Sequence, residues 1–210
     1  MKPFYDFAQY SDAWFKIRRG MPTASSFDRI ITPKKGELAA AHEGYINELI
    51  ADLFDPYYPR ESPFATAAMR EGIRREPESR NWLALQLGSE LKEVGFVLSD
   101  CGRYGCSPDS LAGDDTVVEL KNPNPSTHVG WLRQGGLPIE HKVQVHGHLV
   151  VTGLPVCVFC SYCPAFPPAP TILIRQEPDW FTDKLRECLT VFLHAYDEAM
   201  DRLGLERPCN

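Results

Sequence analysis

Apolar positions change their period along this chain. "TASSFDRII", residues 23–31, opens with residues suited to capping a helix. Residues 36–54 then carry Leu38, Tyr45, Leu49, Ile50 and Leu53 on one stripe, the spacing of an amphipathic helix. A further helical pattern runs from about residue 66 to residue 87, with Pro77 inside it as either a kink or a fresh start. In the middle of the chain the period shortens to two. "VGFVL", "TVVELK" and "PVCVFCSY" are β-rich runs bounded by Gly, Asp or Pro, and a helical stretch at about 139–152 separates the last two. "PPAP" at 167–170 predicts a loop and "TILIRQ" a strand. Phe181, Leu185, Leu189, Phe192, Tyr196, Met200 and Leu203 mark a closing amphipathic helix. This order predicts an α/β fold with a mixed central β-sheet flanked by helices.

Composition narrows the class. A chain of 210 residues, 43% of them hydrophobic, can bury one sizeable core, so one domain over 1–210 is the simplest organisation. Within it we expect a helical part at 1–90, a β-hairpin and core at 91–178, and a C-terminal helix at 179–205. A formal charge of −6 argues against a protein that coats nucleic acid non-specifically, while leaving room for a local basic groove. "MKPFYDFAQYSDAWF" has early acids and no apolar core, unlike a signal peptide. The most apolar stretch, "HLVVTGLPVCVFCSYC", is broken by Gly153 and Pro155 and falls short of a membrane span. No membrane association and a cytoplasmic location are therefore expected. In that compartment the seven cysteines predict reduced thiols. Cys157, Cys160 and Cys163 have the C-x2-C-x2-C spacing of a cluster ligand set, but on a strand their sulfurs would alternate faces, which favours core thiols.

"GCSPDSLAGDDTVVELKNP", residues 105–123, holds the candidate chemistry. On a strand, Glu119 and Lys121 share a face while Val118 and Leu120 take the other. A turn at Gly113-Asp114-Asp115 can fold Asp109 back beside Glu119. Two carboxylates and a backbone carbonyl make a hard oxygen site suited to Mg²⁺ or Mn²⁺, and a lysine beside them can orient or deprotonate a water. The alternative for the same residues is an exposed strand with an i,i+2 ion pair, worth about 0.5 kcal/mol.

"GCSPDSL" followed by "VELKNP" resembles the metal-binding hairpin of the lambda-exonuclease family, the YqaJ-type viral recombinases within the restriction-endonuclease-like nucleases. The likeness continues in order. "WFKIRRGMPTASSF" is similar to the family's Trp…Arg…Gly…Thr-Ala-Ser element, "GIRREPESR" to its Gly-x-x-x-Glu helix, "WLRQGG" to its Arg-x-Gly-Gly turn and "QVHGHLVVTG" to its Gln-x-Gln helix. The resemblance implies a restriction-endonuclease-like core and an Mg²⁺-dependent exonuclease of phage or prophage recombination. Such an enzyme digests linear double-stranded DNA from 5′ to 3′ and leaves 3′ single-stranded tails.

The same resemblance implies residue roles. Asp109 bridges two Mg²⁺ ions, for which Mn²⁺ substitutes; Glu119 and the Leu120 carbonyl complete one site, and Lys121 positions and activates the water. Glu76 helps hold the metals, against the alternative of a surface i,i+4 pair with Arg80. Gln144 bonds the water or a metal-bound oxygen, against a capping or buried amide. Arg18 and Ser25 contact the 5′-terminal phosphate, although Ser25 could equally cap a helix. Arg133 is either a contact to the DNA backbone or a solvated loop arginine. His146 stands where the family has a second Gln, and His141 where it often has an aromatic; if His146 touches the site, activity would respond to pH near neutrality. A toroidal homotrimer and a single-strand annealing protein as partner are also implied. An endonuclease or nickase of the same fold, and a non-catalytic DNA-end-binding scaffold, are the alternatives.

Overall fold

The computed structural model describes residues 1–55, 67–165 and 171–206. The expected loop at 167–170 lies outside them. The elements run β1 (Lys2–Phe4), α1 (Asp12–Ile17), a 3₁₀ helix at Ala24–Arg29, α2 (His42–Phe54), α3 (Ala67–Leu87), β2 (Leu91–Lys92), β3 (Phe96–Leu98), β4 (Gly105–Cys106), β5 (Ser110–Ala112), β6 (Thr116–Lys121), α4 (Pro125–Gln134), α5 (Ile139–Thr152), β7 (Val156–Ser161), β8 (Ile172–Gln176) and α6 (Trp180–Arg202). The central sheet has the order β2-β5-β6-β7-β8. It is antiparallel except where β6 runs parallel to β7, a pairing that requires the crossover through α4 and α5. A smaller antiparallel sheet, β1-β3-β4, sits beside it.

Because both faces of the central sheet are covered, β6 and β7 are apolar on both sides. Val117, Cys157 and Phe159 join α5, α6, α2 and the 3₁₀ helix in the larger core. Val118, Leu120, Val158 and Cys160 face α3 with Leu83 and Tyr162. This alternation settles the cysteine motif: Cys157 and Cys160 lie in different cores, and the six described cysteines are free thiols. No helix among the described residues is long and apolar enough to cross a membrane.

Three local expectations differ from the structure. The helix expected over 36–54 begins only at His42. Gly36 takes φ +70° in a turn that returns Ala39 N–H to the Ile30 carbonyl at 2.8 Å, so Leu38 belongs to a bridge with Ile31. "TASSFDRII" forms a six-residue 3₁₀ helix whose N-cap, Thr23, makes no side-chain cap bond. Around "WLRQGG" the chain is helical rather than a simple turn: Asn124 caps α4 by accepting from Thr127 N–H at 2.9 Å, and Pro125 occupies its first turn. α3 runs through Pro77 without a fresh start.

Candidate active site

The β5–β6 register builds the site. Ser110 lies opposite Val118, and Asp109 extends the ladder by one residue, its N–H donating to the Val118 carbonyl at 3.1 Å. Asp109 Oδ2 accepts the Leu120 N–H at 2.5 Å. A strand residue points its N–H and C=O to the same side. The Leu120 carbonyl therefore faces the Asp109 edge, past the end of β5, where the ladder offers it no partner. Asp109, Leu120 and Lys121 line one cleft of about 540 Å³, together with Tyr10, Glu76, Trp131 and His141.

Glu119 lies deeper, with 1% of its surface exposed. Its Oε1 accepts from Lys121 Nζ, and its Oε2 accepts from His148 Nε2 at 2.7 Å. Burial alone would push the Glu119 carboxyl up, but the Lys121 charge and the His148 bond outweigh it and hold the group at about 2. Burial also opposes a charged Lys121, yet Glu119 and Asp109 raise its pKa, so it is an ammonium here. Asp109 behaves oppositely. Burial, and then the neighbouring Glu119 charge, drive its carboxyl well above the usual range. Glu76 is raised too, by burial first, with Glu93 and Glu119 adding to it against Arg80. The cleft thus gathers more carboxylate than its one lysine neutralises.

Glu76 is no surface pair. It accepts from Arg80 Nη2, and Arg80, 9% exposed, also donates to Ser110 Oγ at 3.0 Å and Glu93 Oε1 at 2.7 Å. α3 is pinned to the end of β6 by Asn122 Nδ2, which donates to the Gly72 carbonyl at 3.2 Å. On α5, His141, Gln144 and His148 are spaced to share the stripe facing β6. His141 stacks on Phe159 at 5.3 Å and meets Trp131 edge-on at 5.0 Å; burial, then the Lys121 charge, lower its pKa to about 4. Gln144 is half-buried on this stripe and makes no hydrogen bond to Asp109, Glu119 or Lys121 among the described residues. His146 is turned the other way: its Nδ1 pairs with Thr182 Oγ1 of α6 at 2.8 Å, so it does not contact the site.

Arg18 and Ser25 line a second, smaller pocket of about 110 Å³ with Thr23, Ser26, Arg29 and Tyr45. Arg18 lies over the Trp14 ring at 3.9 Å and donates to Ser107 Oγ at 3.3 Å, which also accepts from Trp14 Nε1 at 2.7 Å. Ser107 is two residues before Asp109, so this pocket and the carboxylate cleft share one segment. Ser25 sits inside the 3₁₀ helix, its Oγ 3.3 Å from Thr23 Oγ1, and is not the cap. Arg133 is exposed in the last turn of α4 and lines neither pocket. Sequence reasoning missed His148 and Ser107. The i+7 spacing of His148 from His141 was the available signal for the first; Ser107 carried none beyond its nearness to Asp109.

The family of YqaJ-like viral recombinase domains matches residues 13–155. An alkaline exonuclease, LHK-Exo from Laribacter hongkongensis, superposes with a TM-score of 0.80 at 28% identity, over 92% of this chain and 96% of its own. LHK-Exo in complex with dAMP gives 0.79 at the same identity and coverage. A phage-related exonuclease from Haemophilus somnus 129PT shares the fold, with a TM-score of 0.68 at 12% identity over 87% of this chain and 96% of its own. No curated protein matches.

Proposed function

This chain belongs to the YqaJ-like viral recombinase family, and on that footing we propose that it is a divalent-metal-dependent exonuclease that digests linear duplex DNA from 5′ to 3′. The observation that carries the proposal is the convergence of Asp109, Glu119, Lys121 and the Leu120 carbonyl at one end of the β5–β6 hairpin. The likeness to an alkaline exonuclease supports it.

The donor set fits Mg²⁺. Among the described residues no three His, Cys, Asp or Glu side chains already surround one point. Mg²⁺ does not need such a cage, because it keeps several waters and binds through one or two carboxylates plus substrate phosphate. Burial first, and then neighbouring carboxylates, raise the proton affinities of Asp109 and Glu76, and a cation held between them would oppose both effects. Asp109, Glu119, Glu76 and the Leu120 carbonyl would hold two such ions, and the chemistry such ions would supply there is charge stabilisation on the phosphate oxygens. Lys121, kept protonated by its two carboxylates, donates to the scissile phosphate or to the attacking water and holds it in line. Gln144, on the α5 stripe that faces β6, is in this reading the amide that hydrogen-bonds that water.

Arg18, which donates to Ser107 Oγ, and Ser25 form the 5′-phosphate pocket. Guanidinium and hydroxyl donors suit a terminal phosphate, and the shared segment keeps pocket and carboxylates in fixed register. An enzyme that cuts internally has no use for such a pocket, which favours the exonuclease over the endonuclease or nickase. A scaffold has no need of the buried Glu119–Lys121 pair. The dAMP bound by LHK-Exo is the class of product that stepwise digestion releases. A homotrimeric ring and an annealing protein that takes up the 3′ tails follow from the family resemblance, and Arg133 on the exposed end of α4 is the DNA-backbone contact.

The test uses linear duplexes bearing 5′-phosphate or 5′-hydroxyl, and a closed circle, each with and without Mg²⁺. We expect Mg²⁺-dependent loss of the phosphorylated linear duplex, a spared circle, and no digestion by Lys121→Ala. Digestion of the circle, or wild-type rates from Lys121→Ala, would overturn the proposal.

A further inference from the structure

Glu119 has three bonds of rotational freedom and two chemically equivalent oxygens, yet each oxygen has its own partner. Lys121 lines the cleft and holds Oε1, whereas His148 is 1% exposed and holds Oε2 from the core side at 2.7 Å. We infer that His148 is a positioning residue of this centre: its Nε2–H fixes Oε2 and so commits Glu119 Oε1 to the cleft. The inference rests on the reading of Glu119 as a cation ligand.

The donor direction follows from chemistry. An ionised carboxylate only accepts, so Nε2 must carry the hydrogen of the bond. Among the described residues His148 Nδ1 is buried without a partner, which suits a bare lone pair and leaves no orphaned N–H. The neighbouring buried histidines do other work. His128 meets Ser161 Oγ at 2.9 Å and His146 meets Thr182 Oγ1 at 2.8 Å, each tying a helix to another element through a hydroxyl. His148 instead bonds the one carboxylate that the sheet buries, from the α5 stripe that also brings His141 to the cleft. Partners of this kind typically set metal affinity by about 10–100-fold, because they fix the orientation of a ligand that would otherwise rotate.

Mn²⁺ binding to the DNA-free protein, followed by the electron paramagnetic resonance of the unbound ion, tests this without any turnover. His148→Leu should weaken Mn²⁺ binding by about 10–100-fold, and His148→Gln, which keeps an N–H donor of similar reach, should recover most of it. Glu119→Gln should bind least. Wild-type affinity in a folded His148→Leu protein would overturn the inference while leaving Glu119 as the ligand; wild-type affinity in Glu119→Gln would remove the underlying reading and this inference with it. The wild-type protein supplies a further check that no variant's folding can obscure. Its imidazole ¹⁵N spectrum should show His148 as the Nε2–H tautomer, and an Nδ1–H tautomer would refute the positioning role.

Discussion

His146 should weaken the fold in mild acid while leaving catalysis near neutral pH untouched. The imidazole is 1% exposed, and burial lowers its pKa from 6.5 to about 4, with Asp179 opposing that shift and Lys142 reinforcing it. An unfolded chain protonates this ring near pH 6.5, whereas the native protein resists until about pH 4. Between those values the unfolded state binds more protons, so stability is full above pH 6.5 and is lost as pH falls toward 4. Integrating that shift from pH 7.5 down to pH 5 gives a loss of about 2 kcal/mol from this one residue. The figure is a ceiling, because Asp179 lies 3.8 Å from Nδ1 and rotation toward it would soften the penalty. His146→Gln retains a polar partner for Thr182 and cannot titrate. Urea unfolding of both proteins at pH 7.5, 6.5 and 5 isolates the effect, since His141 contributes equally to each. The variant should lose about 2 kcal/mol less than the wild type on acidification. Parallel losses would refute the reasoning, as would a changed pH–rate profile near neutrality, which would put His146 back at the active site.

Asp109→Asn should melt higher than the wild type in metal-free buffer at pH 8, because burial and then Glu119 raise the Asp109 pKa on folding, so this carboxyl destabilises the fold above its ordinary range; Mg²⁺ should then raise the melting temperature of the wild type and not of the variant, and the reverse order would contradict the cation site. Gly147→Ala places a methyl 2.8 Å from Ala24 Cβ and 3.0 Å from Phe27 Cδ2, so overpacking of about 1–3 kcal/mol should outweigh a helix-propensity gain of about 1 kcal/mol; a more stable variant in denaturant titration would refute that contact. Arg18→Ala should digest 5′-phosphate and 5′-hydroxyl duplexes at matched rates, and a retained preference would move the phosphate pocket elsewhere. The purified protein should be colourless from 350 to 500 nm, since Cys157 and Cys160 face opposite cores.

What the sequence made legible is what a period of two or a short turn can encode. The hairpin at 110–121 was readable because β6 alternates and its turn is rich in Gly and Asp, and that reading alone placed Asp109 against Glu119. α5 and β7 were readable as a helical stretch over 139–152 and a β-rich run over 155–162, because Gly153 and Pro155 mark the break between them. The failures share a cause as well. At 36–41 the apolar spacing suggested a helix, but Pro33 and Gly36 impose a turn whose hydrogen bonds override it. α4 went unpredicted, although Asn124 and Pro125 in "NPNPST" together form its cap and first turn. The Glu119–His148 bond spans 29 residues across two elements, and no local pattern encodes such a contact.

In the proposed function, the placement of α5 would couple cutting to recognition of a DNA end. Three consecutive residues on this helix face three different partners: His146 bonds α6, Gly147 lets the 3₁₀ helix that carries Ser25 approach to contact distance, and His148 holds Glu119. A side chain at 147 would push Ala24 and Phe27 away and so shift the phosphate pocket relative to the carboxylates. The spacing between the proposed end-binding pocket and the carboxylate cleft is therefore set by α5 and the missing Cβ at Gly147. On this argument the hairpin supplies the chemistry, and α5 fixes how far from the gripped end that chemistry acts.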